Sequence, residues 1–574
     1  MVSSAVTSRS TWRSASLTSI STSALVAAGA CASPSPSPRA PEARPASLVL
    51  VGGDLITMDP ARPRATALAV RDGRIVAVGD DADVRGWIAP GTRVVELHGR
   101  AVTPGLVDGH CHLYGLGTSL EIVDLRGTAS AAEAAARAAE AGRRRAAGEW
   151  ITGRGWDQNR WPGQAFPTRD VLDAAVGDRP VALRRVDGHA VWVSSAALRL
   201  AGIDAATQDP PGGRILRDAA GAPTGVLVDN AMQLVEQEIP VPDRAVRERR
   251  IRAAAAHVAA LGLTGVHEMG IDPETAEIYR DLAAARALPV RVTAYLSADA
   301  FVELPAGQAP TILDDGDDRF SLRGVKVYAD GALGSRGAAL AADYSDEPGN
   351  RGNWVTAPDD LRRTIDAAVA GGWQVAVHAI GDAAVHAVLD DYQAALAAHP
   401  GDRRLRVEHA QVVAAGDVPR FAGLGVLASM QPTHATSDMP WAEARVGPER
   451  IRGAYAWRTL LDAGARLVAG SDFPVEEPSP LLGLYAAVTR QDRAGNPPGG
   501  WYPAQRMTLD EAIAAFTVAP AYAAFVEDAR GRLAVGDVAD ATVYDRPLAP
   551  GRGLLETRID MTLLDGQVVY ERTE

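Results

Sequence analysis

The sequence predicts an α/β protein built around a TIM (β/α)8 barrel, and three observations lead to this prediction. Residues 103–520 alternate apolar β-branched runs with alanine-rich helical stretches, which is typical of parallel strands joined by crossover helices. Eight such apolar runs occur, and eight parallel strands with intervening helices close into a barrel. Outside this region, short β-rich runs at the two ends of the chain resemble each other.

Residues 1–46 differ in composition from the rest of the chain. Arginines come first, followed by a weakly apolar stretch diluted by Ser and Thr, by an Ala-Ala-Gly-Ala-Cys segment ending at Cys31, and by a Pro/Ser-rich run. This order resembles a bacterial lipoprotein signal followed by a tether. We therefore expect export to the cell envelope, with membrane anchoring through a lipid on Cys31. The alternative is a cytoplasmic protein with a disordered extension or a misassigned start.

Residues 47–102 and 521–574 are predicted to form one composite β-sandwich. Both segments contain short β-rich runs, and each carries an Asp-Gly hairpin signal, at Asp72-Gly73 and at Asp565-Gly566. We expect strands from the two ends of the chain to pair with each other. The barrel is then inserted between them.

The barrel strands are predicted at eight runs. In chain order the runs are AVTPGLVDGHCH, GLTGVHEMG, LPVRVTAYL, LRGVKVYADG, GWQVAVHAIGD, RLRVEHAQ, LGVLASMQPTH and ARLVAGSDFPVE. About 140 residues separate the first run from the second, far more than one crossover helix needs. We therefore expect an inserted subdomain or lid at residues 116–255, after the first barrel strand.

Polar residues follow these runs at the strand ends where a TIM barrel places its chemistry. They are His110 and His112 on the first run, Lys326 on the fourth, His378 on the fifth, His409 on the sixth and Asp472 on the eighth. In a His-x-His pair on a strand both imidazoles point to one face, because side chains alternate. Imidazole nitrogens with a carboxylate oxygen suit Zn²⁺ or a similar borderline metal ion.

The ordered set of motifs resembles the amidohydrolase superfamily, and within it the YtcJ-like group of amidohydrolase family 3. The motifs are PGLVDGHCH, DGHAVWVSSAAL, GVKVYADGALGSR, VAVHAIGDAAV, VEHAQ and AGSDFPVE, and the resemblance covers residues 46–574. It implies one or two divalent metal ions, which we expect to be zinc. By this resemblance, His110, His112 and Asp472 hold one ion and His378 and His409 hold the other. A CO₂-derived carbamate on Lys326 bridges the two.

Lys326 is the only lysine of the 574-residue chain, and its amine can do chemistry that a guanidinium cannot. An amine can lose its proton when burial lowers its pKa, and the free amine can add CO₂ to become an anionic carbamate. Arginine stays protonated and cannot do this. An unmodified cation would repel metal ions, whereas a carbamate supplies two oxygen ligands. Schiff-base catalysis is the competing use of a unique lysine.

The predicted reaction is metal-dependent hydrolysis of the C–N bond of a small-molecule linear amide, of the N-acyl or N-formyl type. A metal-activated hydroxide is expected to attack the carbonyl, with Asp472 as general base and acid. Three further residues are predicted to bind the substrate. They are His189 in DGHAVWV, Arg336 in DGALGSR and His434 in MQPTHATSD. For each of the three, a structural role is the alternative.

Two other functions are alternatives to amide hydrolysis. A deaminase acting on a cyclic amidine shares the fold and the metal set but usually lacks the bridging lysine. A non-catalytic exported binding or regulatory protein is the alternative from another class. The net charge of −13, without a basic stripe, argues against a nucleic-acid partner. The sequence contains no Gly-x-Ser-x-Gly motif, which disfavours a serine hydrolase. It does not predict the oligomeric state.

Overall fold

The computed structural model describes residues 44–146, 148–304, 307–310 and 319–573. The predicted lipoprotein signal, its tether and Cys31 lie outside these ranges. Among the helices of the described residues, none has the length and apolar character needed to cross a membrane.

The described chain begins with seven short strands. They are β1 (Leu48–Val51), β2 (Asp54–Ile56), β3 (Arg64–Ala65), β4 (Ala67–Arg71), β5 (Arg74–Gly79), β6 (Arg93–Glu96) and β7 (Ala101–Pro104), with helix α1 (Asp81–Arg85) between β5 and β6. Asp72 and Gly73 join β4 to β5 with φ values of 50° and 76°. Two successive positive φ values match the twist of a tight hairpin, which explains the Asp-Gly sequence at this point.

The segment after the first barrel strand, β8 (Leu106–Cys111), builds a sheet of its own. Its strands are β9 (Val123–Asp124), β10 (Ile151–Trp156), β11 (Val181–Arg185), β12 (Ala190–Val193), β13 (Gly213–Arg217) and β14 (Pro223–Asp229), in the order β13-β14-β12-β11-β10-β9. Its helices are α2 (Leu113–Ser119), α3 (Ala131–Gly142), α4 (Arg169–Val176), α5 (Ser195–Leu200) and α6 (Gln233–Glu236). Trp156, Trp161 and Trp192 pack against one another in its core.

Helix α7 (Arg244–Ala260) leads from this segment back to the barrel. Its buried residues Ile251, Ala255 and Val258 belong to the same apolar core as the barrel strands. The boundary predicted at residue 255 therefore falls inside a helix of the barrel layer.

Eight parallel strands form the barrel. After β8 they are β15 (Leu263–Ile271), β16 (Arg291–Ser297), β17 (Phe320–Tyr328), β18 (Gln374–Ala379), β19 (Arg406–His409), β20 (Leu427–Met430) and β21 (Leu467–Ala469), in the order β21-β20-β19-β18-β17-β16-β15-β8. The first and last strands of this order approach each other beyond their ends, where Asp472 N donates to His110 O at 2.8 Å and His112 N donates to Phe473 O at 2.8 Å. The predicted barrel is confirmed, with each strand at its expected run.

The remaining helices surround the barrel or cover its carboxyl-terminal end. They are α8 (Pro273–Ala284), α9 (Ala298–Val302), α10 (Pro358–Ala370), α11 (Asp382–Ala398), α12 (Val418–Leu424), α13 (Pro432–Asp438), α14 (Ala442–Arg450), α15 (Trp457–Asp462), α16 (Pro480–Thr489), α17 (Leu509–Ala515) and α18 (Val518–Ala523). In α8, α10, α13 and α16 a proline stands in the first turn, where its missing N–H leaves no helical hydrogen bond unmade.

The chain ends by returning to the N-terminal strands. After β22 (Ala541–Tyr544) and α19 (Gly553–Glu556) come β23 (Ile559–Leu564) and β24 (Gln567–Glu571), which complete a sheet of order β24-β23-β22-β7-β2-β3. The other N-terminal strands form a second sheet, β5-β4-β1-β6. Leu50, Leu68, Val102 and Leu563 share one buried apolar cluster between the two sheets. Strands from both chain ends therefore pair as the composite sandwich predicted.

Candidate metal centre and active site

A cavity of about 1290 Å³ opens where the barrel strands end. The predicted site residues that line it are His110, His112, His189, Lys326, His378, His409, His434 and Asp472. Residues of the inserted sheet form part of the wall, among them Arg154, Arg184, Asp187 and Asp229. The cavity thus combines the barrel ends with one face of the insertion.

His110 and His112 both point at Asp472. His110 Nε2 lies 3.5 Å and His112 Nε2 lies 3.1 Å from Asp472 Oδ1. The other ring nitrogens are engaged: His112 Nδ1 donates to Met269 O at 3.0 Å, and His110 Nδ1 lies 2.5 Å from Glu408 Oε2. A ring nitrogen that faces an acceptor carries the proton, so each Nε2 keeps its lone pair toward Asp472.

Asp472 follows β21 in a left-handed backbone conformation, with φ of 57°. This conformation is uncommon for a residue other than glycine, and such strain concentrates at functional sites. Burial raises the pKa of Asp472, but His112 and the positive charges that the neighbouring histidines His110 and His434 carry when protonated outweigh that effect and lower the pKa below its ordinary value. The side chain is therefore a carboxylate at neutral pH.

His378 and His409 continue the cluster on the next strands. The His110 and His409 ring centroids lie 4.8 Å apart, and those of His378 and His409 lie 4.6 Å apart. His409 Nδ1 donates to Gln431 Oε1 at 2.8 Å. Burial lowers the pKa of His110, His378 and His409 well below the ordinary value, and the charges around them lower it further. These imidazoles are neutral at pH 7, which is the form that binds metal ions.

Lys326 lies on β17 among these histidines, and only 1% of it is exposed. Its positive charge lowers the pKa of His110, His378 and His409. Its Nζ is 4.6 Å from the ring centroid of Tyr328. Burial lowers the pKa of Lys326 to about 8, against the opposing charges of Glu408 and Asp472. A fraction of the side chain is therefore a free amine near neutral pH.

His434 on α13 stands on the other side of Asp472. Its Nε2 is 3.8 Å from Asp472 Oδ2, and its ring stacks on that of His409 with centroids 5.8 Å apart. Donor atoms of His409, His434 and Asp472 lie within 4.8 Å of one another. The structure therefore brings His434 to the edge of the histidine cluster.

The residues present fit a divalent metal ion. Donor atoms of His110, His112 and Asp472 lie within 4.8 Å of one another. His110 Nε2 and Asp472 Oδ1 are buried, and among the described residues neither has a hydrogen-bond partner. Buried polar atoms without partners are costly, and two imidazole nitrogens with a carboxylate oxygen are donors that Zn²⁺ prefers. A cation between them removes that cost.

Charged residues behind the ligands orient them. Glu408 holds His110 Nδ1, and it accepts a 2.7 Å hydrogen bond from Arg406 Nε in a pair that is fully buried. Arg406 also donates to His267 Nδ1 at 2.8 Å, so His267 faces the barrel interior. These roles were not predicted from the sequence, although two charges at alternate positions of the apolar run RVEH are a usable signal, because alternate side chains share one face of a strand.

Asp108 ties β8 to the turn that carries Asp472. It accepts hydrogen bonds from Ser471 Oγ at 2.7 Å, from Ser471 N at 3.0 Å and from His110 N at 3.1 Å. Burial raises the pKa of Asp108 to about 7. These contacts fix the spacing between the first and last barrel strands, on which the His110 and Asp472 geometry depends.

His189 enters the cavity from the insertion. Its Nδ1 is 2.7 Å from Asp229 Oδ1, and its ring centroid is 5.0 Å from that of His378. Burial lowers the pKa of His189, but the hydrogen bond and charge of Asp229 outweigh it and raise the pKa above the ordinary value. The predicted substrate-binding residue therefore stands beside the histidine cluster, with Asp229 favouring its protonated form.

Arg336 is the predicted site residue that the structure does not bring to the cavity. Its guanidinium pairs with Asp346 at 3.0 Å and with Glu347 at 3.1 Å, so a substrate carboxylate would have to displace two acidic partners. Two cavity residues that the sequence did not single out are Tyr328 and Arg154. Tyr328 was detectable, because it follows Lys326 by two positions on one strand and therefore shares its face.

The chain matches a known protein family over most of its length. A family model described as amidohydrolase family matches residues 93–570. Protein LONG AFTER FAR-RED 3 of Arabidopsis thaliana is 36% identical over 518 residues, covering 87% of each chain. YtcJ of Bacillus subtilis, an amidohydrolase by name, is 34% identical over 535 residues, covering 91% of this chain and 99% of YtcJ.

Two further similarities concern activity and structure. The N-substituted formamide deformylase of Arthrobacter pascens is 30% identical over 543 residues, covering 92% of this chain and 98% of that enzyme. The crystal structure of an uncharacterized metal-dependent hydrolase from Pyrococcus horikoshii superposes with a TM-score of 0.71 at 28% identity, covering 88% of this chain and 99% of that chain.

Proposed function

The chain belongs to the amidohydrolase family, whose metal-dependent members hydrolyse C–N bonds, and we propose that this chain cleaves a linear N-acyl or N-formyl amide. The observation that carries the proposal is the cluster of His110, His112 and Asp472 in the cavity wall, with His110 and Asp472 buried and His112 partly exposed. The likeness to a formamide deformylase over nearly its whole length supports a formamide as one substrate.

We propose that His110, His112 and Asp472 hold one divalent ion and that His378 and His409 hold a second. Lys326, carrying a carbamate, is proposed to bridge the two. The free amine expected from a pKa of about 8 supports this modification, since only the neutral amine adds CO₂. A bound divalent ion, for which we propose zinc, would polarise a carbonyl and lower the pKa of water.

The protein's own groups account for the proton transfers. Water adds to the amide carbon, the C–N bond breaks, and the amine leaves after it has gained a proton. Asp472, a carboxylate at neutral pH, is placed to take the proton from water and return it to the leaving nitrogen. His189 is placed to donate a hydrogen bond to the oxygen that gains negative charge, and Asp229 favours its protonated form.

The test uses the purified full chain loaded with zinc. N-benzylformamide and N-acetylbenzylamine should both be offered, together with a cyclic amidine. We expect the release of formate or acetate with benzylamine, loss of turnover with a chelator and recovery when zinc is restored. Release of ammonia from the cyclic amidine, with no amide hydrolysis, would instead identify a deaminase.

Asp472→Asn tests the proposed base. The amide side chain cannot accept the proton, so kcat should fall by about 10² to 10⁴-fold. The metal content of the variant should be measured alongside, to separate lost proton transfer from lost metal. Asp545→Asn is a control on the far sandwich, where the carboxylate contacts Arg546. Unchanged turnover in Asp472→Asn would contradict the role.

A further inference from the structure

Arg154 stands out among the charged residues of the cavity wall. It comes from β10 of the insertion, and its Nη2 donates to Val186 O at 3.0 Å. Its Nε is buried, and among the described residues it has no hydrogen-bond partner. Within the same part of the chain, no carboxylate forms an ion pair with Arg154. The guanidinium therefore brings to the cavity wall a positive charge that no carboxylate of the described residues pairs with.

The neighbouring arginines of the cavity wall are different. Arg185 pairs with Asp157 at 2.6 Å and Asp187 at 2.5 Å, and Arg184 pairs with Glu236. Farther out, Arg126 pairs with Asp124 at 2.9 Å, and Arg160 is exposed to solvent, where water satisfies its donors. Among the described arginines of the cavity wall that are not exposed to solvent, Arg154 therefore differs from the others in having no carboxylate partner.

The backbone is shaped to admit this guanidinium. Gly188 has φ of 81°, and a Cβ at this position would stand 3.2 Å from Arg154 Nη2. The side chain therefore lies against the turn that precedes His189. Burial, together with the charge of Arg184, lowers the pKa of Arg154 to about 10 against the opposing charges of Asp472 and Asp187. The group is still a cation at neutral pH.

The surroundings of Arg154 limit where its partner can be. Arg154 lies against Gly188, the residue before His189, and the His189 ring centroid is 5.0 Å from that of His378. The guanidinium therefore lies on the side of the cavity that holds the histidine cluster. An anion that pairs with Arg154 is therefore in the same cavity as an amide bound at the histidine cluster. In an N-acyl amino acid the carboxylate is two bonds from the amide nitrogen, so one small substrate carries both groups.

Resting on the proposed amide hydrolysis, we infer that Arg154 binds a carboxylate of the substrate and that the substrates are N-acyl or N-formyl amino acids. Planar guanidinium and carboxylate groups form paired, charge-assisted hydrogen bonds, which are stronger than neutral ones. The substrate thus supplies the counter-ion that the described residues of the protein do not.

Two substrates that differ only by a carboxylate test the inference. The zinc-loaded full chain should be assayed with N-formylphenylalanine and N-formylphenethylamine. We expect kcat/KM to be at least tenfold higher for the acid. Arg154→Met should remove this preference, mainly through KM, and Arg154→Lys should restore part of it. Arg126→Met, which removes a paired arginine of the same cavity, should keep the preference.

A binding measurement separates this inference from the proposed function. Phenylalanine and phenethylamine should be titrated calorimetrically into wild type and Arg154→Met. Tighter binding of phenylalanine that depends on Arg154 supports the carboxylate site even if neither formamide is hydrolysed, in which case the proposed function fails alone. If both formamides are hydrolysed and Arg154→Met slows them equally, or keeps the preference for phenylalanine, the carboxylate site is overturned.

Discussion

Lys326 is buried in surroundings that disfavour its positive charge. It is buried beside three imidazoles that have neutral ring nitrogens available, and Arg406 adds a further positive charge nearby. Glu408 and Asp472 are the compensating anions. A carbamate on the same amine replaces a repulsive cation by an anion with two oxygens, so it would relieve the excess of positive charge and supply metal ligands together.

Lys326→Arg is predicted to lose turnover and part of the bound metal. A guanidinium stays charged and cannot carry CO₂. Mutation of residues that only hydrogen-bond to a metal ligand already lowers metal affinity or activity by about 10 to 100-fold. Loss of a bridging ligand should therefore lower them by about 100-fold or more. Metal content per chain and hydrolysis rate are the measurements. Lys326→Glu, which offers a carboxylate, should keep more metal than Lys326→Arg. A Lys326→Arg variant with normal metal content and rate would contradict the bridging role.

At the residue scale the sequence was most informative where chemistry and strand ends coincide. His110, His112 and Asp472 were predicted together, and their donor atoms do converge. The pairing of Arg336 could not be predicted, because the DGALGSR motif does not reveal that Asp346 and Glu347 contact it. The setting of Arg154 could not be predicted either, because nothing in GRGWDQN shows that its guanidinium has no acidic partner among the described residues.

At the scale of elements, β15 and α2 are joined by one carboxylate. Glu268 on β15 accepts hydrogen bonds from the backbone amides of Leu113 and Tyr114 at the start of α2, and from Tyr279 OH at 3.1 Å. The first amides of a helix have no helical partner, so this side chain satisfies them. Because α2 begins directly after His112, the same contact fixes the direction of that ligand.

Glu268→Gln is predicted to weaken both the helix start and metal binding. One side of the carboxylate becomes an amide NH₂ that faces donors instead of accepting from them, which should cost about 1 to 3 kcal/mol of stability. Metal affinity should fall by about 10 to 100-fold as His112 loses its support. Denaturant unfolding and a zinc titration measure the two effects. Glu277→Gln on the exposed side of α8 is the matched control, and an equal response from both variants would contradict the capping role.

The elements themselves were predictable to different degrees. Each barrel strand lies in an apolar run, a pattern set by burial on both faces, so all eight were found. The insertion was predicted only as an excess of length. Its sheet order, in which β14 pairs with β12 and β13, depends on contacts between distant segments that no local pattern specifies.

At the scale of the whole molecule, a buried ion cluster joins the barrel to the composite sandwich. Arg291 at the start of β16 donates to Asp540 at 2.8 Å and also pairs with Asp565, while Arg319 pairs with Asp565 at 2.9 Å. The arginine side chains are 8% and 5% exposed. Strand starts lie at the end of the barrel opposite the cavity, so this cluster acts on stability and not on chemistry.

Arg291→Met is predicted to destabilise the fold by about 3 to 5 kcal/mol, because breaking a buried ion pair leaves its carboxylates uncompensated. Denaturant unfolding measures this, and kcat under native conditions should be unchanged. Arg93→Met, which removes an exposed pair with Glu571, is the control and should cost less than about 1 kcal/mol. Similar losses in both variants would show that the cluster is not a joint between barrel and sandwich.

The stability difference between wild type and Arg291→Met should depend on pH, and this dependence tests the same cluster more sharply. Burial raises the pKa of Asp540, but the charge and hydrogen bonds of Arg291 outweigh it and hold the pKa below its ordinary value. A depressed folded-state pKa adds stability above the unfolded-state pKa of about 4, and this contribution is lost as the pH falls through the folded value. The stability gap between wild type and Arg291→Met should therefore be full at pH 7 and should shrink below pH 4. A gap that stays constant from pH 7 to pH 3 would mean that Arg291 stabilises the fold through packing and not through its charge.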